Sequence, residues 1–169
     1  MKLSILAAIP ALFLVSCTGY QLGGVKPASL ANVKSIAVPM VANETQHPRA
    51  EAIATSAIAA ALTQDGTYKL SSTGRADAVL EARLTSIEYS SIRGSRLDSL
   101  LPEELHNRVS IVWVLKDGAD RTKVLASGRA TARSQLFVDS NLQTARNNAL
   151  PDALERAGES LVSTLATGY

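Results

Sequence analysis

The sequence predicts an α+β domain: a mostly antiparallel sheet of four or five strands with two helices packed on one face as a two-layer sandwich. Three observations predict it. Long stretches of period-two alternation occupy the middle of the chain, and two stretches with helical spacing bracket most of them. The composition, 46% hydrophobic and 19% charged, is that of a globular domain rather than a disordered one. Aromatics make up only 4%, so Ala, Val, Leu and Ile must fill the core.

The N-terminus reads as an export signal. Lys2 is the only charge before Cys17, and Leu3 to Val15 is apolar apart from Ser4 and Pro10. That run is shorter than the roughly 20 residues a membrane-spanning helix needs and suits a signal-peptide core. It ends in Leu14-Val15-Ser16-Cys17, the pattern of a lipobox, in which a thiol is presented for diacylglyceryl transfer behind a small residue that gives a peptidase access. Cys17 is the only cysteine, so an internal disulfide is excluded and this position accounts for the thiol. The expected organisation is a signal peptide over 1–16, the lipidated Cys17 and a flexible tether over 17–30, and one periplasmic domain over 31–169. Several acyl chains anchor a protein to a bilayer far more firmly than one does.

Within the domain, Val33 to Met40 reads as a first strand with Pro39 near its end. Asn43-Glu44-Thr45-Gln46 reads as a polar turn, and the triplet Asn43-Glu44-Thr45 also matches a glycosylation acceptor. From Pro48 to about Gln64, Ile53, Ala57, Ile58, Ala60, Ala61 and Leu62 fall at helical spacing, with Gly66 as the C-terminal cap. Thr67 to Ser72 is a short second strand. Ala76 to Ser90 is a third, in which Leu80, Ala82 and Leu84 share a face while Ile87 and Tyr89 shift phase, so a bulge belongs near Thr85–Ser86. A loop follows over Ser91 to Glu104.

The strongest strand signal is Leu105 to Lys116, where Val109, Ile111, Trp113 and Leu115 alternate with Ser110, Val112 and Val114. Trp113 is thereby a core residue. Asp117-Gly118-Ala119-Asp120 is a hairpin turn, and Lys123 to Val138 returns with Ser127, Arg129, Thr131 and Arg133 toward solvent. Asn141 to Ala166 is helical, with a Leu/Ala stripe and Pro151 inside it, so a kink or break is expected at Ala149–Leu150.

Several chemistries are excluded. A net charge of +2 with no basic stripe argues against nucleic acid. His47 in a turn and His106 at a strand entrance have no partner at metal spacing. No phosphate loop, dinucleotide fingerprint or nucleophile elbow occurs, no cofactor is implied, and an enzyme is not expected. The cations left to explain are Arg93 and Arg96 in the long loop, with Arg108 just beyond. They read either as solvated charges or as an anion site, since guanidinium forks suit phosphate and carboxylate. Lys116, Arg121 and Lys123 form a second basic group around the hairpin turn.

Cys17-Thr18-Gly19-Tyr20-Gln21-Leu22-Gly23, then Ser35-Ile36-Ala37-Val38-Pro39 with Asn43-Glu44-Thr45, then Ala76-Asp77-Ala78-Val79-Leu80-Glu81-Ala82 with Ser86-Ile87-Glu88-Tyr89, resemble in order and spacing the LPS-assembly lipoprotein family, LptE. The resemblance covers nearly all of the chain after Cys17. It implies a non-enzymatic outer-membrane lipoprotein on the periplasmic side, which plugs the LptD β-barrel, aids its assembly, and binds lipopolysaccharide for insertion into the outer leaflet. Thr18 after the cysteine is compatible with outer-membrane sorting. In relatives a basic residue before the central strand helps bind lipopolysaccharide, a place held here by Arg93 or Arg96. A second basic position precedes the last helix, where this chain has Asp139-Ser140-Asn141, with Arg146 the nearest cation. The first strand and the Ala-rich helix also resemble the CsgG/LpoB lipoproteins, which form secretion pores or activate peptidoglycan synthases. Those carry further strand–helix units. A periplasmic hydrolase is a third reading, and it lacks a base–nucleophile pair.

Overall fold

Three long strands that alternate apolar and polar residues form the backbone of the molecule. The computed structural model describes residues 26–94, 102–137 and 142–168. After a 3-10 turn at Ala28–Leu30 come β1 (Ser35–Ala37), β2 (Ala42–Asn43), α1 (Ala50–Asp65), β3 (Lys69–Leu70), β4 (Ala78–Gly94), β5 (Pro102–Asp117), β6 (Val124–Phe137) and α2 (Leu142–Thr167). β4, β5 and β6 form an antiparallel meander, and the order across the sheet is β3-β1-β4-β5-β6, with β2 also on β4.

The sheet has six strands and is mixed, which corrects the expectation of four or five mostly antiparallel ones. β1 runs parallel to both β3 and β4, and β2 runs parallel to β4. The reason is α1: a helix between β1 and β3 makes the connection a crossover, which returns the chain in the same direction. Pro39, which has no N–H to give a ladder, separates β1 from β2. Residues expected to extend the first strand to Met40 therefore leave it after Ala37. The pairing resumes at Ala42↔Arg83 and Asn43↔Leu84, so the first residue of the segment read as a turn belongs to a strand.

Register explains the core. Facing inward are rungs running from β4 through β5 to β6: Leu80, Leu115 and Ala126; Ala82, Trp113 and Gly128; Leu84, Ile111 and Ala130; Ile87, Val109 and Ala132. The large residues stand on β4 and β5 and the small ones on β6, so α2 lies close over β6. The indole of Trp113 fills the space above Gly128, where a Cβ would come within 2.6 Å of Trp113 Cζ2. Trp113 is buried, as its alternation predicts. The anticipated bulge is present: Leu84 pairs with Ile111 and Ser86 with Ser110, leaving Thr85 as the extra residue. β4 continues to Gly94 and β5 begins at Pro102, so the loop expected from Ser91 to Glu104 is shorter.

Both helices share one core with the inner face. α1 packs chiefly on α2 rather than on the sheet, its small residues allowing close approach; a Cβ on Gly158 would lie 3.1 Å from the Ala57 carbonyl. Ala60, placed in the apolar stripe by spacing, is exposed instead. Gly66 caps α1 at φ 72°, its N–H donating to the Leu62 carbonyl. α2 runs continuously through Pro151, so of the expected kink or break the break does not occur. Pro151 and Asn147, whose carbonyl loses its usual donor, are both exposed, so water can serve that carbonyl.

One carboxylate joins the short strands to the long ones. Asp77 Oδ2 accepts from the Lys34 N–H at 3.0 Å and from the Ser35 N–H and hydroxyl at 2.9 Å each. The Asp77 N–H donates back to Ser35 Oγ, and its carbonyl accepts from Gly118 of the β5–β6 turn at 2.8 Å. Gly118 is required there, because a Cβ would collide with the Ala76 carbonyl oxygen. The Lys34 N–H first, then the Ser35 donors, hold the Asp77 carboxyl below its usual value.

A carboxyl whose pKa falls on folding contributes stability above its unfolded value, about 4, and that contribution is lost as pH drops through the folded value. Asp77→Asn is therefore expected to melt below the parent at pH 7, with the gap narrowing as pH falls below the ordinary carboxylate value of about 4. Thermal melts across that range check it; a gap independent of pH would show that the charge is not what matters.

Candidate functional site

β4 runs 17 residues, roughly 50 Å, from the Asp77 clasp to the far end of the sheet. α2 begins at that far end and returns. The N-terminal segment sits at the near end. Lys26 Nζ donates to the Val33 carbonyl at 3.0 Å and lies 4.6 Å from the Tyr68 ring, and Tyr68 Oη donates to the Leu165 carbonyl at 2.8 Å. The chain leading back toward Cys17 thus enters beside the C-terminal end of α2, opposite the β4–β5 tip.

The inner face turns polar toward that tip. The rung after Ile87 consists of Tyr89, Asn107 and Ser134. Ser134 Oγ donates to the Ala149 carbonyl at 2.8 Å. Asn107 is fully buried, and neither atom of its amide has a partner. Above them the first turns of α2 lay the Arg146 guanidinium on the Tyr89 ring, 4.8 Å from its centroid, with Nε buried and unpartnered. Tyr89 Oη lies 3.4 Å from His47 Nε2. Burial pushes the Tyr89 phenol above its ordinary pKa, while the Arg146 charge pulls the other way.

The loop holding His47 is built by Asn43. Its Nδ2 donates to the His47 carbonyl at 2.8 Å and to Glu51 Oε2 at 2.9 Å, and its Oδ1 accepts from the Thr45 N–H and hydroxyl. Both amide protons are committed, so the triplet that matches a glycosylation acceptor acts as a turn lock. Loop, bulge and helix enclose a cleft of about 520 Å³ lined by residues including His47, Thr85, Tyr89, Gln143 and Arg146. Its guanidinium, phenol and imidazole offer donors to an anion or a polyhydroxylated ligand.

The structure separates the arginines that the sequence grouped. Arg93 stands opposite Glu104 near the end of β4, whereas Arg108 stands opposite Glu88 and Arg133, several residues back along the sheet. Arg108 is exposed, on the face away from the helices. Arg96 and Cys17 lie outside the described residues, as does the Asp139–Asn141 segment. The second basic group is spoken for: Lys116 pairs with Glu81 at 2.6 Å, Lys123 with Asp117 at 3.6 Å, and Arg121 donates to the Thr73 carbonyl. His47 is half-buried against Tyr89 rather than free in a turn. Among the described residues no group of three or more His, Cys, Asp or Glu is placed to hold a metal, and no helix is long and apolar enough to cross a membrane.

The family model for LptE, described as lipopolysaccharide-assembly, matches residues 33–165. No curated protein matches the sequence. Solved structures share the fold at low identity. A Xanthomonas campestris protein of the DUF330 family is 16% identical at a TM-score of 0.57, covering 86% of this chain and 91% of that one. A hypothetical protein from Chlamydia trachomatis is 12% identical at 0.56, covering 81% and 99%. A minor lipoprotein from Acinetobacter baumannii is 13% identical at 0.51, covering 79% and 93%.

A buried amide without partners costs about 1–3 kcal/mol. Asn107→Leu, close in volume, is expected to stabilise the isolated protein by about 1–2 kcal/mol in chemical denaturation. A loss of stability instead would mean that the amide is satisfied in solution.

Proposed function

Because the chain belongs to the lipopolysaccharide-assembly LptE family, we propose that it is an outer-membrane lipoprotein, anchored through Cys17 on the periplasmic side. In this reading it assists assembly of an LptD-type barrel, fills its lumen, and binds lipopolysaccharide for insertion into the outer leaflet. The observation that carries the reading is the family match over nearly all of the folded domain. Residues 1–16 are removed as a signal peptide, and 17–30 tether the domain to the membrane. The work is binding and scaffolding, not bond-making.

The geometry supports that division of labour. Chain leading to the anchor enters at one end, and the far end of β4, near Arg93, stands about 50 Å away. A domain tethered at one end presents the other to whatever lies beyond the tether. Arg93 and Arg96, with Arg108, supply guanidinium forks for phosphorylated sugars, and their hold weakens as salt rises. Arg146 on its Tyr89 platform offers a further cation near the start of α2.

The test is lipopolysaccharide binding by the purified full chain. Arg93→Glu with Arg96→Glu is expected to weaken binding about tenfold or more without moving the melting curve. Adding Arg108→Glu weakens it further. Unchanged affinity in the triple variant removes these residues from the site. Co-purification with a penicillin-binding protein in place of a barrel would turn the function toward peptidoglycan synthesis.

A further inference from the structure

The face of the sheet turned away from the helices carries its own pattern. Its rungs from β4 through β5 to β6 are Glu81, Val114 and Ser127; Arg83, Val112 and Arg129; Ser86, Ser110 and Thr131; Glu88, Arg108 and Arg133. Both helices belong to the core on the opposite side. At one end of this face the charges are neutralised within the chain: Lys116 pairs with Glu81, and Arg83 with Glu44 at 3.5 Å. At the other end they are not. Among the described residues, Arg108, Arg129 and Arg133 make no ion pair, and all three are exposed.

Arg108 and Arg133 stand directly opposite each other on neighbouring strands. Like charges in that position oppose folding, and Glu88, opposite Arg108 on its other side, is the only carboxylate in the rung. Between the two arginine rungs lies a rung of three hydroxyls, and its central residue, Ser110, is 6% exposed with an Oγ that has no partner. The same face continues into Val112, Val114 and Met40, the last 66% exposed, around an open cleft of about 490 Å³.

We propose that this face, centred on Arg129 and Arg133 around Ser110, docks on an acidic protein surface. Carboxylates of the partner accept bidentate hydrogen bonds from these two guanidiniums and offset the repulsion between Arg133 and Arg108. The backbones of β4 and β5 are consumed in the ladder, so recognition along them falls to side chains. Unpaired arginines beside the exposed Met40 and the half-buried Val112 and Val114 have the mixed composition of a protein interface. The inference rests on the barrel-partner reading above and adds which face meets the partner and with what chemistry.

The experiment places a photo-crosslinking residue at Thr131 in the full lipidated chain, in native envelopes, with the same group at Glu159 on the helix side as comparator. Capture of the barrel from Thr131 is expected, at an acidic segment identified by mass spectrometry, and is expected to drop about tenfold with Arg129→Glu and Arg133→Glu together. The same pair leaves the melting temperature of the purified chain unchanged or raises it. If the double variant melts lower, Arg133→Gln is used in its place. Barrel capture from Glu159 but not from Thr131 rejects this face and leaves the proposed function standing. Capture from Thr131 of lipopolysaccharide alone, or of a segment without carboxylates, rejects the acidic-protein assignment. Failure to capture a barrel from either position rejects the inference and the barrel reading together.

Discussion

Two helices can cover only one face of this sheet, and that constraint organises the molecule. The inner face closes because large side chains on β4 and β5 interlock with small ones on β6, where α2 lies. Among the described residues the outer face has no second layer, and apart from Val112 and Val114 its rungs carry charge and hydroxyls. An antiparallel meander tolerates this asymmetry because alternate residues of each strand point to opposite sides. A chain built this way has a stable core on one side and a broad polar surface on the other.

Attachment of the short strands to the long ones is a separate problem. β1 and β3 contribute few ladder bonds, and β1 touches β4 through only two register pairs. Asp77 makes up the difference by accepting from both backbone and side chain of β1 while its own carbonyl receives Gly118. The Ala76-Asp77-Ala78 segment, legible in the sequence as a family signature, therefore has a mechanical role. Asn43 plays the same part for the loop before α1, where one amide holds three residues.

Period-two alternation made the meander legible, including the buried Trp113 and the bulge at Thr85, because a phase shift in the apolar pattern has no other cause in a strand. The parallel pairings were not legible. β2 and β3 are two residues each, too short for alternation to register, and the direction of β1 follows from a crossover rather than from its residues. The cluster of His47, Tyr89 and Arg146 escaped detection because its members are far apart in sequence and each has an ordinary local setting. Asn107 sits at an inward position of the clearest strand, and that misfit was the available signal for a polar site. Arg108 was grouped with Arg93 and Arg96 by proximity in sequence, whereas strand geometry sets it on a different surface.

If the chain acts as proposed, by offering surfaces to a barrel, its loss leaves a mark on that barrel. The most direct measurement is depletion of this chain in its own cells, following in parallel the fraction of the LptD-type barrel that reaches its folded form and the amount of lipopolysaccharide at the surface. The account predicts that both fall together as the chain is lost. Full barrel maturation and unaltered surface lipopolysaccharide in its absence would contradict it.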